Sequence, residues 1–135
     1  LCEAYIKKSS DYMKMSKLVY INKFYEGSVI NAYYSMYYTS LALLFKCGIK
    51  SENHGGTILL LKRLFNIDIK IISQAKKDRI DSQYYTRDNV GIEVNEKIAS
   101  QAMKDAETYC NEIKVIIERL TNTQIGKVRK EFEEI

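Results

Sequence analysis

Arg79, Gln83 and Arg87 stand four residues apart. On a helix such residues share a face, and two guanidiniums on one face can clamp phosphate oxygens through planar, forked donors. Tyr84 and Tyr85 lie in the same run, where their rings could stack on bases, at roughly 1–3 kcal/mol per stacked base. His54, the chain's one histidine, sits between Asn53 and Gly55 just ahead of an apolar periodic stretch. An imidazole there could meet a phosphate beside the free N–H groups of a helix start. Lys62 and Arg63 add two further basic points. Each residue also has a plainer reading. Arg79 can pair within its helix with Asp78 or Asp81, and Arg87 with Asp88; His54 can serve as a loop or capping residue. Cys2, Cys47 and Cys110 are scattered and odd in number, which makes neither a disulfide framework nor a zinc ligand set. No metal and no cofactor are expected.

The elements that must position these residues read as helices. There is no proline and there are only six glycines in 135 residues, too few for a turn-rich β protein. The first helix spans about 3–21, with Tyr5, Ser9, Tyr12, Ser16 and Val19 on one face. The second, 24–47, carries one stripe of Val29, Ala32, Met36, Ser40, Leu43 and Cys47 and another of Tyr34, Tyr37, Tyr38, Leu41 and Phe45. Such all-round apolarity exceeds what an outer helix of a small bundle buries. A dimer interface at Tyr37, Tyr38, Leu41 and Phe45 is therefore expected. Asn31, polar in that helix, should hydrogen-bond a neighbour such as a tyrosine hydroxyl. Gly48 is placed for a left-handed helix end. A loop over 51–56 then precedes a third helix at 57–65, a fourth runs from about 68 to 86, and a fifth from about 95 to 120. The expected architecture is all-α, an up-and-down antiparallel bundle of four or five main helices over residues 1–121. Residues 122–135 form a tail with a short helix bearing Ile125, Val128 and Phe132 on one face.

The stretch Lys23-Phe24-Tyr25-Glu26-Gly27-Ser28-Val29-Ile30-Asn31-Ala32-Tyr33-Tyr34-Ser35-Met36-Tyr37-Tyr38 resembles the second helix of the HEPN family (higher eukaryotes and prokaryotes nucleotide-binding), with Asn31, Ala32, Tyr33 and Tyr34 as its signature. Two further segments follow in order. Ser51-Glu52-Asn53-His54-Gly55 is similar to the family's Ser-His-Lys-Gly loop, and Arg79-Ile80-Asp81-Ser82-Gln83-Tyr84-Tyr85 to its Arg-x-x-Ala-x-Tyr segment. The resemblance implies an antiparallel helical bundle that dimerises. It also implies a nucleotidyltransferase partner in a toxin–antitoxin-like pair, or a nucleotide or RNA ligand. Some members of the family are ribonucleases with an Arg, four to six residues, then a His. Here Tyr84 follows Arg79 at that spacing, and no histidine comes after His54. With an unperturbed pKa of about 10, tyrosine is a poor proton shuttle near neutrality.

A binding module is thus the expected function. The alternatives are a metal-independent ribonuclease using Arg79 with His54, which requires those two residues to converge, and a purely structural helical dimer. The Tyr33, Tyr34, Tyr37 and Tyr38 cluster could stack on bases or simply pack the interior. A net charge of +4 permits a polyanionic partner, although mixed lysines and acids also describe ordinary solvated helix faces. The longest strongly apolar run, Leu41 to Phe45, is too short to span a bilayer. With no signal-peptide pattern and unpaired cysteines, the expected location is the cytoplasm.

Overall fold

The computed structural model describes residues 1–83 and 94–135. Within them the chain forms α1 (Cys2–Ile21), α2 (Tyr25–Lys46), α3 (His54–Phe65), α4 (Lys70–Gln83), α5 (Glu96–Arg119) and α6 (Asn122–Glu133). There are thus six helices among the described residues and no strand. The all-α reading holds, and the alternating stretch Ile67–Ile72 leads into helix. Asp68 accepts a hydrogen bond from the Lys70 N–H at 3.0 Å, next to the helix start.

α1 and α2 form a hairpin closed by a tight turn. Lys23 adopts a positive φ of 65°, and the Phe24 N–H reaches back to the Val19 carbonyl at 2.8 Å. Gly48 takes the left-handed conformation expected after α2, at φ 73°. A Cβ there would be strained and would also press on the Arg129 guanidinium. Asn66, at φ 54°, ends α3 in the same way.

α2 is the central helix. α1, α3, α4 and α5 all pack against it, which explains an apolar surface on nearly every side. Much of the face expected to be left over is covered by the other described helices. Tyr37 and Leu41 are 5% and 8% exposed in the single chain. Tyr38 stacks on Tyr5 and Tyr12 of α1, and Phe45 packs edge-on to Tyr5. The premise for a dimer through Tyr37, Tyr38, Leu41 and Phe45 was an outer helix, and α2 is an inner one. Asn31 also differs from expectation: its amide donates to the Gly27 carbonyl at 2.8 Å, one turn back on its own helix, and not to a tyrosine.

The core continues beyond residue 121. A capping box at Thr121 and Gln124 starts α6. The helix packs on α3, buries Val128 and sets Ile125 and Phe132 against the common core. No described helix is long and apolar enough to cross a membrane.

Candidate functional site at the start of α3

α3 begins three residues earlier than the sequence pattern indicates, and the difference places His54. Asn53 caps the helix by accepting from the Gly56 N–H at 2.8 Å. Gly55 and Gly56 therefore form its first turn, where a pair of glycines reads as loop. His54 becomes the first helical residue, and its ring turns inward. It lies flat against Tyr37, with centroids 3.8 Å apart and planes 2° apart. Its Nδ1 is 2.7 Å from the hydroxyl of Tyr33.

Arg79 reaches the same tyrosines from α4. Its Nη1 donates to the Tyr34 hydroxyl at 3.0 Å and to Gln83 Oε1 at 3.4 Å. The guanidinium carbon lies 5.1 Å from the Tyr33 ring centre and 5.5 Å from that of Tyr34, within cation–π range. Thus Arg79 and His54, 25 residues apart in sequence, converge on one tyrosine pair. Among the described residues Arg79 forms no ion pair with Asp78 or Asp81; Asp78 instead accepts from Gln74. Among the described residues the Arg79 Nε is buried without a hydrogen-bond partner, an arrangement that ordinarily costs stability.

The electrostatics fix the protonation pattern. Burial, then the positive charges of Arg79 and Lys76, push the His54 pKa below its ordinary value, so the ring is neutral at neutral pH. Burial drives the Tyr33 phenol far upward, so it keeps its proton. Tyr33 is fully buried, and the partner of its hydroxyl among the described residues is His54 Nδ1. The Tyr33 O–H must then donate to Nδ1, which leaves the His54 proton on Nε2. The Tyr34 hydroxyl accepts from Arg79 and has its own proton to give. Arg79, His54, Tyr34 and nearby Lys76 therefore all present donors. Such a set suits an anion and provides no base among these four at neutral pH.

The other expected site residues divide. Lys62 and Arg63 are exposed on the last turn of α3, about 12 Å along the helix from His54, and do not join the site. Tyr84, Tyr85 and Arg87 lie outside the described residues. Asn31 and Ala32 support α2 without entering the donor set, whereas Tyr33 and Tyr34 are at its centre. Sequence reasoning missed Lys76, although it precedes Arg79 by three residues on α4, a spacing that shares a helix face. It also missed Tyr37 as the platform for His54. Among the described residues no group of three His, Cys, Asp or Glu side chains is placed to hold a metal ion.

The sequence comparisons agree with this architecture. Residues 2–118 match the family model described as HEPN domain. An Archaeoglobus fulgidus protein described as "UPF0332 protein" is 29% identical over 118 residues, covering 83% of this chain and 91% of that protein. A Methanocaldococcus jannaschii protein named "Putative toxin MJ0142" is 25% identical over 119 residues, covering 83% of this chain and 78% of its own length. The matched span contains α1 to α5 almost entirely, the Tyr33–Tyr34 pair, His54 and Arg79, and on that basis the chain belongs to the HEPN domain family.

Proposed function

We propose that this chain is a toxin-like HEPN module that binds RNA or a nucleotide through phosphate groups at the Arg79–His54 site. The observation that carries this reading is the convergence of Arg79 and a neutral, donor-presenting His54 on Tyr33 and Tyr34. A phosphate oxygen would take up the unused donors of Arg79, His54 Nε2 and the Tyr34 hydroxyl, and the anion would gain from Lys76. The reading keeps the homodimer and the nucleotidyltransferase partner implied by the family resemblance, with the dimer formed through a surface other than the Tyr37–Leu41 face. One relative's toxin name is consistent with such a paired setting.

The test is fluorescence anisotropy with a short labelled RNA at several salt concentrations. Arg79→Met should weaken binding by about tenfold or more, the loss of a charge-assisted contact. It should also flatten the salt dependence by close to one phosphate contact. Wild-type protein that fails to bind RNA or mononucleotide even at low salt would overturn the reading.

A second reading, a metal-independent ribonuclease, gains from the same convergence, since Arg79 and His54 meet as such an enzyme would require. The tautomer opposes it. With Nε2 protonated, His54 can donate to a leaving group but cannot take the proton of an attacking 2′-hydroxyl. Incubation with RNA should show little cleavage. Robust cleavage abolished by both Arg79→Met and His54→Gln, with the fold intact, would make the enzyme the better account.

A further inference from the structure

α3 and α4 both pack on α2, but each takes its remaining support elsewhere, α3 from α6 and α4 from α5. A groove of about 460 Å³ is left between them. Buried Ile58 lies at its base, and Leu59, Ile69 and Ile80 form its walls. Leu59 is 63% exposed and Ile80 37%, so two large aliphatic side chains face solvent across a concave surface. Lys76 and Lys77 line the groove, and among the described residues no acidic side chain does. Arg63 follows Leu59 by one helical turn on α3, a spacing that shares a helix face. From Ile69, just before α4, to Ile80 that wall runs for about 16 Å, some three turns of helix.

These features select among occupants. Nucleic acid would use the rim, but the walls offer branched aliphatics and no ring for base stacking. A second copy docking the same surface would bring Lys76 and Lys77 against their own counterparts, a like-charge juxtaposition. An apolar helix face flanked by carboxylates satisfies both walls and rim. We infer that the α3–α4 groove docks an acidic amphipathic helix of a partner protein. About three turns of that helix place apolar side chains at i, i+4 and i+7 between Leu59 and Ile80, with carboxylates against Lys76 and Lys77. The docking does not depend on RNA binding at Arg79, which is read separately with Arg79→Met.

The test uses the full chain and a labelled synthetic helix of about fourteen residues, with leucines at i, i+4, i+7 and i+11 and glutamates on its flanks. A second peptide carries lysines for glutamates. The acidic peptide should bind and the basic one should not. Leu59→Glu and Ile80→Glu should each weaken binding by about tenfold or more, as for anchors at an interface centre. Both side chains are substantially exposed, and circular dichroism checks that the helices persist. Lys76→Glu combined with Lys77→Glu should reverse the preference in favour of the basic peptide. Equal binding of the two peptides, or acidic-peptide binding indifferent to Leu59→Glu and Ile80→Glu, would overturn the proposal. So would a wild-type dimer that Leu59→Glu dissociates in light scattering, which would assign the groove to a second copy. Loss of RNA affinity in Leu59→Ser, which adds no charge beside Lys76, would assign it to nucleic acid and overturn it equally.

Discussion

α2 presents polar side chains to two sides of the bundle. Toward α1, Ser16 and Ser28 exchange bonds reciprocally: the Ser16 hydroxyl donates to the Ser28 carbonyl at 2.7 Å, and the Ser28 hydroxyl to the Ser16 carbonyl at 2.9 Å. Further along, Ser9 donates to the Ser35 carbonyl at 2.6 Å and Thr39 to the same oxygen at 3.0 Å. All five of these residues are buried. Small hydroxyl side chains let two helices approach closely while every polar group finds a partner inside the protein. Toward α3 and α4 the polar groups are larger and the ledger stays open. Among the described residues Arg79 Nε is buried without a partner, and His54 and Tyr34 have protons to give. A closed network of short side chains holds the fold; an open network of long ones is available to a ligand.

This contrast can be broken by substitution, and the largest effect should come from the closed side. Ser28→Leu forces a bulky side chain into the α1–α2 contact and removes the bond to the Ser16 carbonyl. It should lower the unfolding free energy by about 3 kcal/mol, measured by urea denaturation, without changing RNA affinity in protein that remains folded. On the open side the pattern should invert. Arg79→Met keeps the aliphatic packing on the tyrosines and removes the unpaired Nε, so stability should shift by less than about 1 kcal/mol while RNA binding falls. A large loss of stability in Arg79→Met would mean that the guanidinium holds the fold, and the contrast would fail.

Tyr33→Phe should cost about 1 kcal/mol, the loss of one buried hydrogen bond. It should also release His54 Nδ1, so that nitrogen chemical shifts of the imidazole lose the signature of a single tautomer protonated at Nε2. An unchanged spectrum would show that Tyr33 does not set the tautomer. The smallest effect concerns pH. The His54 pKa is lowered in the folded chain by burial first, then by Arg79 and Lys76. The unfolded chain therefore binds the extra proton more readily as pH falls below about 6.5, the ordinary histidine value. The stability associated with neutral His54 is fully present above that pH and is lost as pH falls through the lower, folded value. His54→Gln should flatten the stability profile in this acidic window alone, as measured by thermal denaturation at a series of pH values.

Much of the fold is local information and is legible in the residues. The apolar stripes of α1, α2 and α5, the Gly48 stop and the absence of proline suffice for an all-α chain, because a helix is specified by spacing within a few turns. The stretch from Lys23 to Tyr38 carries the family resemblance, and the segments at His54 and Arg79 follow in the expected order. The sequence pattern puts the start of α3 at Thr57 because Gly55-Gly56 has low helix propensity, which the Asn53 cap and the inward packing of His54 override.

Local residue patterns dictate which helices form and which side chains are on hand for phosphate chemistry. Tertiary structure alone decided how they meet. Whether α2 is an outer helix with a spare face or an inner one covered on all sides depends on how four neighbours cross it, and no periodicity within α2 records that. The same crossing brings His54 from the start of α3 and Arg79 from α4 to one pair of tyrosines, while Lys62 and Arg63 are exposed at the other end of α3. Helical periodicity fixes angles around one axis. The distance between groups on different axes depends on packing, and that distance separates an anion site from a scatter of surface charges.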